Sequence, residues 1–302
     1  MTRSVRDVIP RPTSTEEWLT LRHDYWNASE AAVLAGEHPF LTLADVAVRK
    51  ITRAVDEPGR AQLRGQHLES ALAEWWSDEH GIYLVEPELL YIYDATVMAT
   101  LDRLIVGADE AVELKTTAKH VTEPEPYWWW QCQAQCLCAG LERVHLVVMD
   151  GGMDLSTYVI EADGHAMTFI AEEAAKAMAF IRRGEMPPGA ALTYRHHERL
   201  HPRHDDGEVE LSDDLAADVA ALARVRDERR ALDAEEELYK TRIAEALGDA
   251  GVGTWEDRAI VTWRSTTRVG VDVARLRREH PDVAKEYRTE TSYRSLRIME
   301  RS

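Results

Sequence analysis

Cysteine is scarce in this sequence. All three lie within QCQAQCLCAG, as Cys132, Cys136 and Cys138. They stand too close together to staple a secreted fold, and no fourth thiol exists to complete an iron–sulfur ligand set. They are expected as small buried residues of a helix. Long apolar runs are missing too, so nothing predicts a membrane span, and MTRSVRDVIPRPTSTEEW lacks the apolar stretch of a secretion signal. A soluble, cytoplasmic protein with no membrane partner is expected. Positive charge is the third shortage: 36 Lys and Arg face 54 Asp and Glu, a net charge of −18. That argues against a chain coated for non-specific nucleic-acid binding. It leaves room for a nucleic-acid enzyme whose basic residues line one groove while metal-binding carboxylates add negative charge. With 45% hydrophobic residues over 302 positions, the chain can bury the core of one large domain, or of a domain plus an appendage.

STEEWLTLRHDYWNASEAAVLAG reads as helix, break, helix: Ser14 with Glu17 has the form of a capping box, and Ser29 can cap a second helix ending near Gly36. PFLTLADVAVRKIT continues helically after Pro39. GRAQLRGQHLESALAEWWSDEHG is a stronger helix, striped by Leu68, Leu72, Trp75 and Trp76. IYLVEPELLYIY, ATVMATLDRLIVG and AVELKTT carry strand signals. A helix follows over 127–141, then a hairpin of RVHLVVMD and LSTYVIEAD across GGM, and a helix over 164–183. Strands mixed with helices on both sides predict an α/β domain with a mixed central sheet.

GEMPPGAALTYRHHERLHPRHDDGE interrupts this pattern as a linker. Its His197 and His201 have helical i, i+4 spacing, compatible with zinc, although no cysteine lies nearby. Residues 208–248 read as one long helix or a helical hairpin, with a heptad too broken for a coiled coil. GVG in GDAGVGTWEDRAIVTWRSTTRVGVD is a turn signal, and VDVARLRREHPDVAKEYR a short helix. Two domains are expected, 1–205 and a helical and small β appendage over 206–302.

DEAVELKTTAKH, residues 109–120, raises a question of chemistry. In an extended chain Val112, Leu114 and Thr116 share one side, and Glu113, Lys115 and Thr117 the other. A surface strand pairing two charges accounts for that much. Asp102, in the preceding ATLDRLIVG, adds a second acid. If the two strands are antiparallel neighbours, Asp102 and Glu113 face the same side near one end, with Lys115 two residues on. Adjacent carboxylates repel unless a divalent cation neutralises them, and such oxygen ligands suit Mg²⁺ or Mn²⁺. Lys115 can then orient or help deprotonate an attacking water, or stabilise charge on a phosphate.

This is the pattern of the PD-(D/E)xK nuclease superfamily, with Leu101 where proline gives the motif its name. The wider sequence resembles the YqaJ-type phage recombinases, the group that includes the phage lambda exonuclease. WLTLRHDYWNASEAAVLAGEHPF is similar to their amino-terminal signature of Arg, a Ser-acid turn and Leu-x-Gly-x-x-Pro. RGQHLESALAEWW resembles their Gly-x-x-Leu-Glu helix, ATLDRLIVG their Asp strand, VELKTT their Glu-x-Lys strand and YWWWQCQAQCLCAG their Gln-x-Gln helix. Five motifs fall in order over residues 14–184.

The resemblance implies a restriction-endonuclease-like α/β core over 1–205. It implies a metal-dependent DNA exonuclease that digests linear duplex from 5′ to 3′ in phage recombination, in the bacterial host cytoplasm. Asp102 and Glu113 would bind Mg²⁺ (or Mn²⁺), Glu69 would complete the acidic cluster, and Lys115 would serve the water. Gln131 would meet the scissile phosphate or its water, sharing a helix face with Tyr127 and Gln135, for which ordinary packing is the alternative. Arg22 and Ser29 would recognise a 5′-terminal phosphate. Double-stranded DNA, a single-strand annealing protein of RecT type, and further copies of the chain in a ring, often a trimer, are the implied partners. Two other classes stay open: a catalytically silent DNA-binding or scaffold subunit, and a repair or CRISPR-adaptation nuclease of the same superfamily. The Trp128–Trp130 run reads as core plus one exposed ring.

Overall fold

A computed structural model describes residues 6–57, 59–151, 154–289 and 293–299. The chain divides into two compact units, Met1–His201 and Pro202–Ser302.

The first unit opens with β1 (Arg6–Pro10), α1 (Thr15–Asp24), β2 (Trp26–Asn27), a 3₁₀ turn (Ala28–Glu30), α2 (Ala31–Leu34), α3 (Leu43–Thr52) and α4 (Arg60–His80). Then come β3 (Leu84–Val85), β4 (Leu89–Tyr93), β5 (Val97–Ala99), β6 (Arg103–Ile105), β7 (Glu110–Thr116) and α5 (Pro126–Ala139). β8 (Arg143–Asp150), β9 (Asp154–Glu161), α6 (Gly164–Ile181) and α7 (Tyr194–Leu200) complete it. The class is mixed α/β, as expected. The strands make two sheets where one was expected: five strands in the order β3-β6-β7-β8-β9 and four in the order β1-β4-β5-β2. The cause is a break inside ATVMATLDRLIVG. Thr100–Asp102 leave the ladder, so β5 joins one sheet and β6 the other.

Within the five-stranded sheet β6 and β7 are antiparallel, β7 and β8 parallel, and β8 and β9 antiparallel. One face carries Ala111, Val144, Leu146 and Val148 against Cys132 and Cys136 of α5. The other carries Val112 and Val147 against Trp76 of α4. β8 is thus apolar on both faces, which is why its sequence runs without clean alternation. The opposite side of α5 packs Ala134, Leu137 and Cys138 into a second core with Trp26, Val46, Ile170 and Ala174. A helix packed on both sides favours small residues, and all three cysteines are buried in it beside the buried Gln133 and Gln135. Burial pushes their thiols well up, Cys136 to about 12. Gly140 ends α5 in the left-handed region, φ 73°, where the Arg6 guanidinium would lie 2.9 Å from a β-carbon.

Two local expectations are corrected. Ser29 does not cap a helix; Asn27 stands at that position, its backbone N–H and side-chain amide both donating to Glu30. The linker contains α7, whose His196 Nε2 donates to Asp45 Oδ1 at 2.9 Å, while His197 and His201 stack at 6.3 Å. No group of three or more His, Cys, Asp or Glu arranged to hold a metal ion occurs among the described residues.

In the second unit, α8 (Asp213–Leu247) is one helix, not a hairpin of helices. β10 (Val252–Trp255) and β11 (Arg258–Thr262) pair antiparallel, followed by α9 (Val273–Glu279) and α10 (Pro281–Glu286). Of the GVG predicted as a turn, Gly251 lies in a bend and Val252 and Gly253 enter β10: a β-carbon on Gly253 would meet Val261 at 2.6 Å, and the register shifts at that point. No described helix is long and apolar enough to cross a membrane.

Candidate active site

Antiparallel pairing of Arg103 with Val112 puts Asp102 beside Glu113 at the end of the β6–β7 ladder. Asp102 sits in the bend just before β6, and its Oδ2 accepts the Leu114 backbone N–H at 2.8 Å. The surface-strand explanation of the Glu113–Lys115 pair fails: Glu113 is 3% exposed, beneath α5. Even-numbered Val112 and Leu114 face Trp76 of α4, so alternation turns Glu113 and Lys115 toward α5.

α5 arrives with the partners a buried carboxylate needs. Gln131 Nε2 donates to Glu113 Oε1 at 2.5 Å and Gln135 Nε2 to Glu113 Oε2 at 2.5 Å. Lys115 Nζ donates to Glu113 Oε1 at 2.6 Å and to Gln131 Oε1 at 2.9 Å. Gln135 Nε2 also reaches the Thr100 carbonyl at 3.0 Å, tying α5 to the bend that carries Asp102. Gln131 therefore joins the site, and so does Gln135, which sequence reasoning had left open to packing. Their four-residue spacing on one helix face was the available signal.

Glu69, on α4, lies on the other side of Asp102. Arg103, nearly buried, donates to Glu69 Oε1 at 2.9 Å and to the Asp102 carbonyl at 2.5 Å. The Arg103 contact was not foreseen; only its place beside Asp102 hinted at it. Burial raises the Asp102 carboxyl well above the usual carboxylate range; Glu113 and Glu69 add to the rise, and Lys115 opposes it. Burial pulls the Lys115 ammonium down, but Glu113 and Asp102 outweigh it and lift it above its ordinary value. Asp102, Glu113 and Glu69 against Lys115 and Arg103 leave the cluster with one acid in excess.

Arg22 lies in the last turn of α1 and is partly buried, its guanidinium 5.9 Å from the Trp18 ring centre. Ser29 is exposed on the 3₁₀ turn. Directly after Ser29 in the chain, and more buried than either of these two, is a residue that sequence reasoning missed. Glu30, 2% exposed, pairs with Arg49 at 2.5 Å and Lys50 at 2.9 Å. Lys50 in turn donates to the carbonyls of Arg22 and Tyr25 at 2.7 and 2.5 Å. Burial would raise Glu30, but Lys50, Arg49 and Arg22 bring it down to about 2. Trp128 is buried; Trp129 and Trp130 stand edge to face at 5.0 Å, and Trp130 Nε1 donates to Glu37.

An aspartate in a strand-edge bend, a buried Glu and a Lys alternating on the next strand, and a covering helix of glutamines form the arrangement expected from the PD-(D/E)xK pattern. Residues 17–142 match the YqaJ-like viral recombinase domain. That segment holds Arg22, Ser29, Glu69, Asp102, Glu113, Lys115 and Gln131. Over 309 residues the chain is 22% identical to "Uncharacterized protein YqaJ" of Bacillus subtilis (strain 168), covering 95% of each. Among solved structures, an alkaline exonuclease (LHK-Exo) from Laribacter hongkongensis is similar with a TM-score of 0.46 at 22% identity, over 56% of this chain and 93% of that one. A phage related exonuclease from Haemophilus somnus 129PT is similar with a TM-score of 0.45 at 12% identity, over 55% and 97%.

Proposed function

We propose that the protein is a metal-dependent DNA exonuclease that digests linear duplex from 5′ to 3′. The observation that carries this reading is the buried Glu113 carboxylate, pinned from three directions by Lys115, Gln131 and Gln135 while Asp102 faces it across the ladder. A carboxylate has about four acceptor positions. Lys115 and Gln131 take two on Oε1 and Gln135 one on Oε2, which leaves one on Oε2 beside the Asp102 carboxyl. Two carboxylates fit Mg²⁺, or Mn²⁺, which keeps several waters and takes only one or two protein acids. The excess of acid at the cluster favours the same occupant.

Asp102 and Glu113 would hold the cation, and Glu69, fixed by Arg103, would hold water or a second ion. When bound, the metal supplies neutralising charge and a nucleophilic water for in-line attack on phosphorus. The chain's own residues do the rest. Gln131 and Gln135 fix the rotamer of Glu113. Lys115 commits two of its three N–H donors to Glu113 and Gln131 and has a third for the attacking water or a phosphate oxygen.

Arg22 and Ser29 are proposed to receive the 5′-terminal phosphate. An annealing protein of RecT type, a ring such as a trimer, a role in phage recombination and the host-cell cytoplasm belong to the same proposal and rest on the family resemblance. The test is digestion of linear duplex labelled separately at each end, with Mg²⁺ or EDTA. Metal-dependent loss from 5′ ends is expected. Absence of digestion in Mg²⁺ and Mn²⁺ would leave a silent DNA-binding subunit in its place.

A further inference from the structure

Beside the acidic site, and not used by it, is a small aromatic cluster. His38 and Tyr127 have ring centres 5.4 Å apart, and Phe40 meets both nearly edge-on, at 6.1 and 6.2 Å. Phe40 is 77% exposed. An apolar ring held in water costs free energy unless something covers it. Its loop is nonetheless fixed: His38 Nδ1 accepts the backbone N–H groups of Phe40 at 3.2 Å and Leu41 at 3.0 Å.

The place of the cluster matters more than its exposure. Tyr127 lies one helical turn before Gln131 on the same face of α5. Burial raises the Tyr127 phenol while the Lys115 ammonium pulls it back. Burial lowers His38, and Glu30 opposes that fall. The rings stand one helical turn from the glutamine that holds Glu113. A DNA end with a phosphate at the acidic site has bases that can reach rings placed one helical turn along α5.

We propose that Phe40, braced by His38 and Tyr127, is a substrate-positioning residue whose ring stacks on a nucleobase at the DNA end. The proposal rests on the nuclease reading of the adjacent site. Every base offers a π face, so such a platform holds an end without reading sequence. It suits an enzyme that must accept each new end it creates.

The experiment uses full-length protein with Ca²⁺ in place of Mg²⁺, and duplexes carrying 2-aminopurine or an abasic site at the terminal position of either strand. Wild type should quench 2-aminopurine fluorescence at one terminus and bind the matching abasic duplex about tenfold more weakly. Phe40→Ala should abolish the quench and bind intact and abasic duplexes equally, and Phe40→Trp should restore both signals. A merely structural Phe40 would leave the abasic comparison unchanged. If Phe40→Ala quenches and discriminates like wild type while wild type digests DNA in Mg²⁺, the platform alone is refuted. If wild type neither binds nor digests DNA, the nuclease reading falls and takes the platform with it.

Discussion

Glu30→Gln tests whether the amino-terminal segment is held by a buried charge cluster. The substitution keeps size and some hydrogen bonding but removes the anion facing Arg49, Lys50 and Arg22. Burial pushes the Lys50 ammonium down despite Glu30, so these charges tolerate the interior only while paired. Breaking a buried pair from one side costs about 3–5 kcal/mol. In a unit of this size that lowers Tm by about 10 °C. The wild-type acid limb gives a second measure. Glu30 titrates at about 2 when folded against 4.5 in the open chain. Its contribution is therefore complete above pH 4.5 and is lost as pH falls through about 2. The gap is worth about 3 kcal/mol at about 1.4 kcal/mol per pH unit. Thermal melts by circular dichroism from pH 7 to pH 2 should show wild type losing stability faster than Glu30→Gln below pH 4.5. A variant that melts within about 1 °C of wild type at pH 7, with the same acid slope, refutes the reasoning.

Asp102→Ala, Glu113→Ala and Lys115→Ala should each slow digestion of linear duplex by at least ~100-fold while gel-shift binding persists, and Glu69→Ala should be milder. A folded Glu113→Ala protein digesting at wild-type rate removes the site. Gln135→Leu and Gln131→Leu should each lower kcat by about tenfold or more, because either change frees the Glu113 carboxylate to rotate; unchanged kcat in both would reduce α5 to packing. Wild type should digest 5′-phosphorylated duplex faster than 5′-hydroxyl duplex, with Arg22→Ala erasing most of the difference; equal initial rates in wild type exclude the phosphate pocket.

How legible this was depends on where the information lay. Alternation in VELKTT put Glu113 and Lys115 on one face, and a ladder with Asp102 opposite needed only antiparallel pairing, which the short ADE turn favours; both hold in the structure. Element types were readable wherever period and caps agreed, as in α4 and the β8–β9 hairpin. The division of the strands was not, because a bend of three residues at Thr100–Asp102 carries no glycine or proline. Strand β1 was missed for a similar reason: RDVIP is too short to signal a strand alone, and it forms by pairing with β4.

The site shows the same limit in sharper form. Gln131 and Gln135 are equivalent by helix period, yet ordinary packing stays an alternative for Gln135 because an amide on a buried helix face has many ordinary partners. Which one it takes depends on the carboxylate that the sheet presents, and here that is Glu113. Arg103 and Glu30 follow the same logic, since each is read correctly only once its partner's burial is known. Local sequence places a polar side chain on a face. The tertiary fold decides whether water or another side chain satisfies it, and a buried charge cannot be left to neither. The residues that were hardest to foresee are therefore those that hold the foreseeable ones in place: Gln135 for Glu113, Arg103 for Glu69, and Glu30 for the cations beside Arg22.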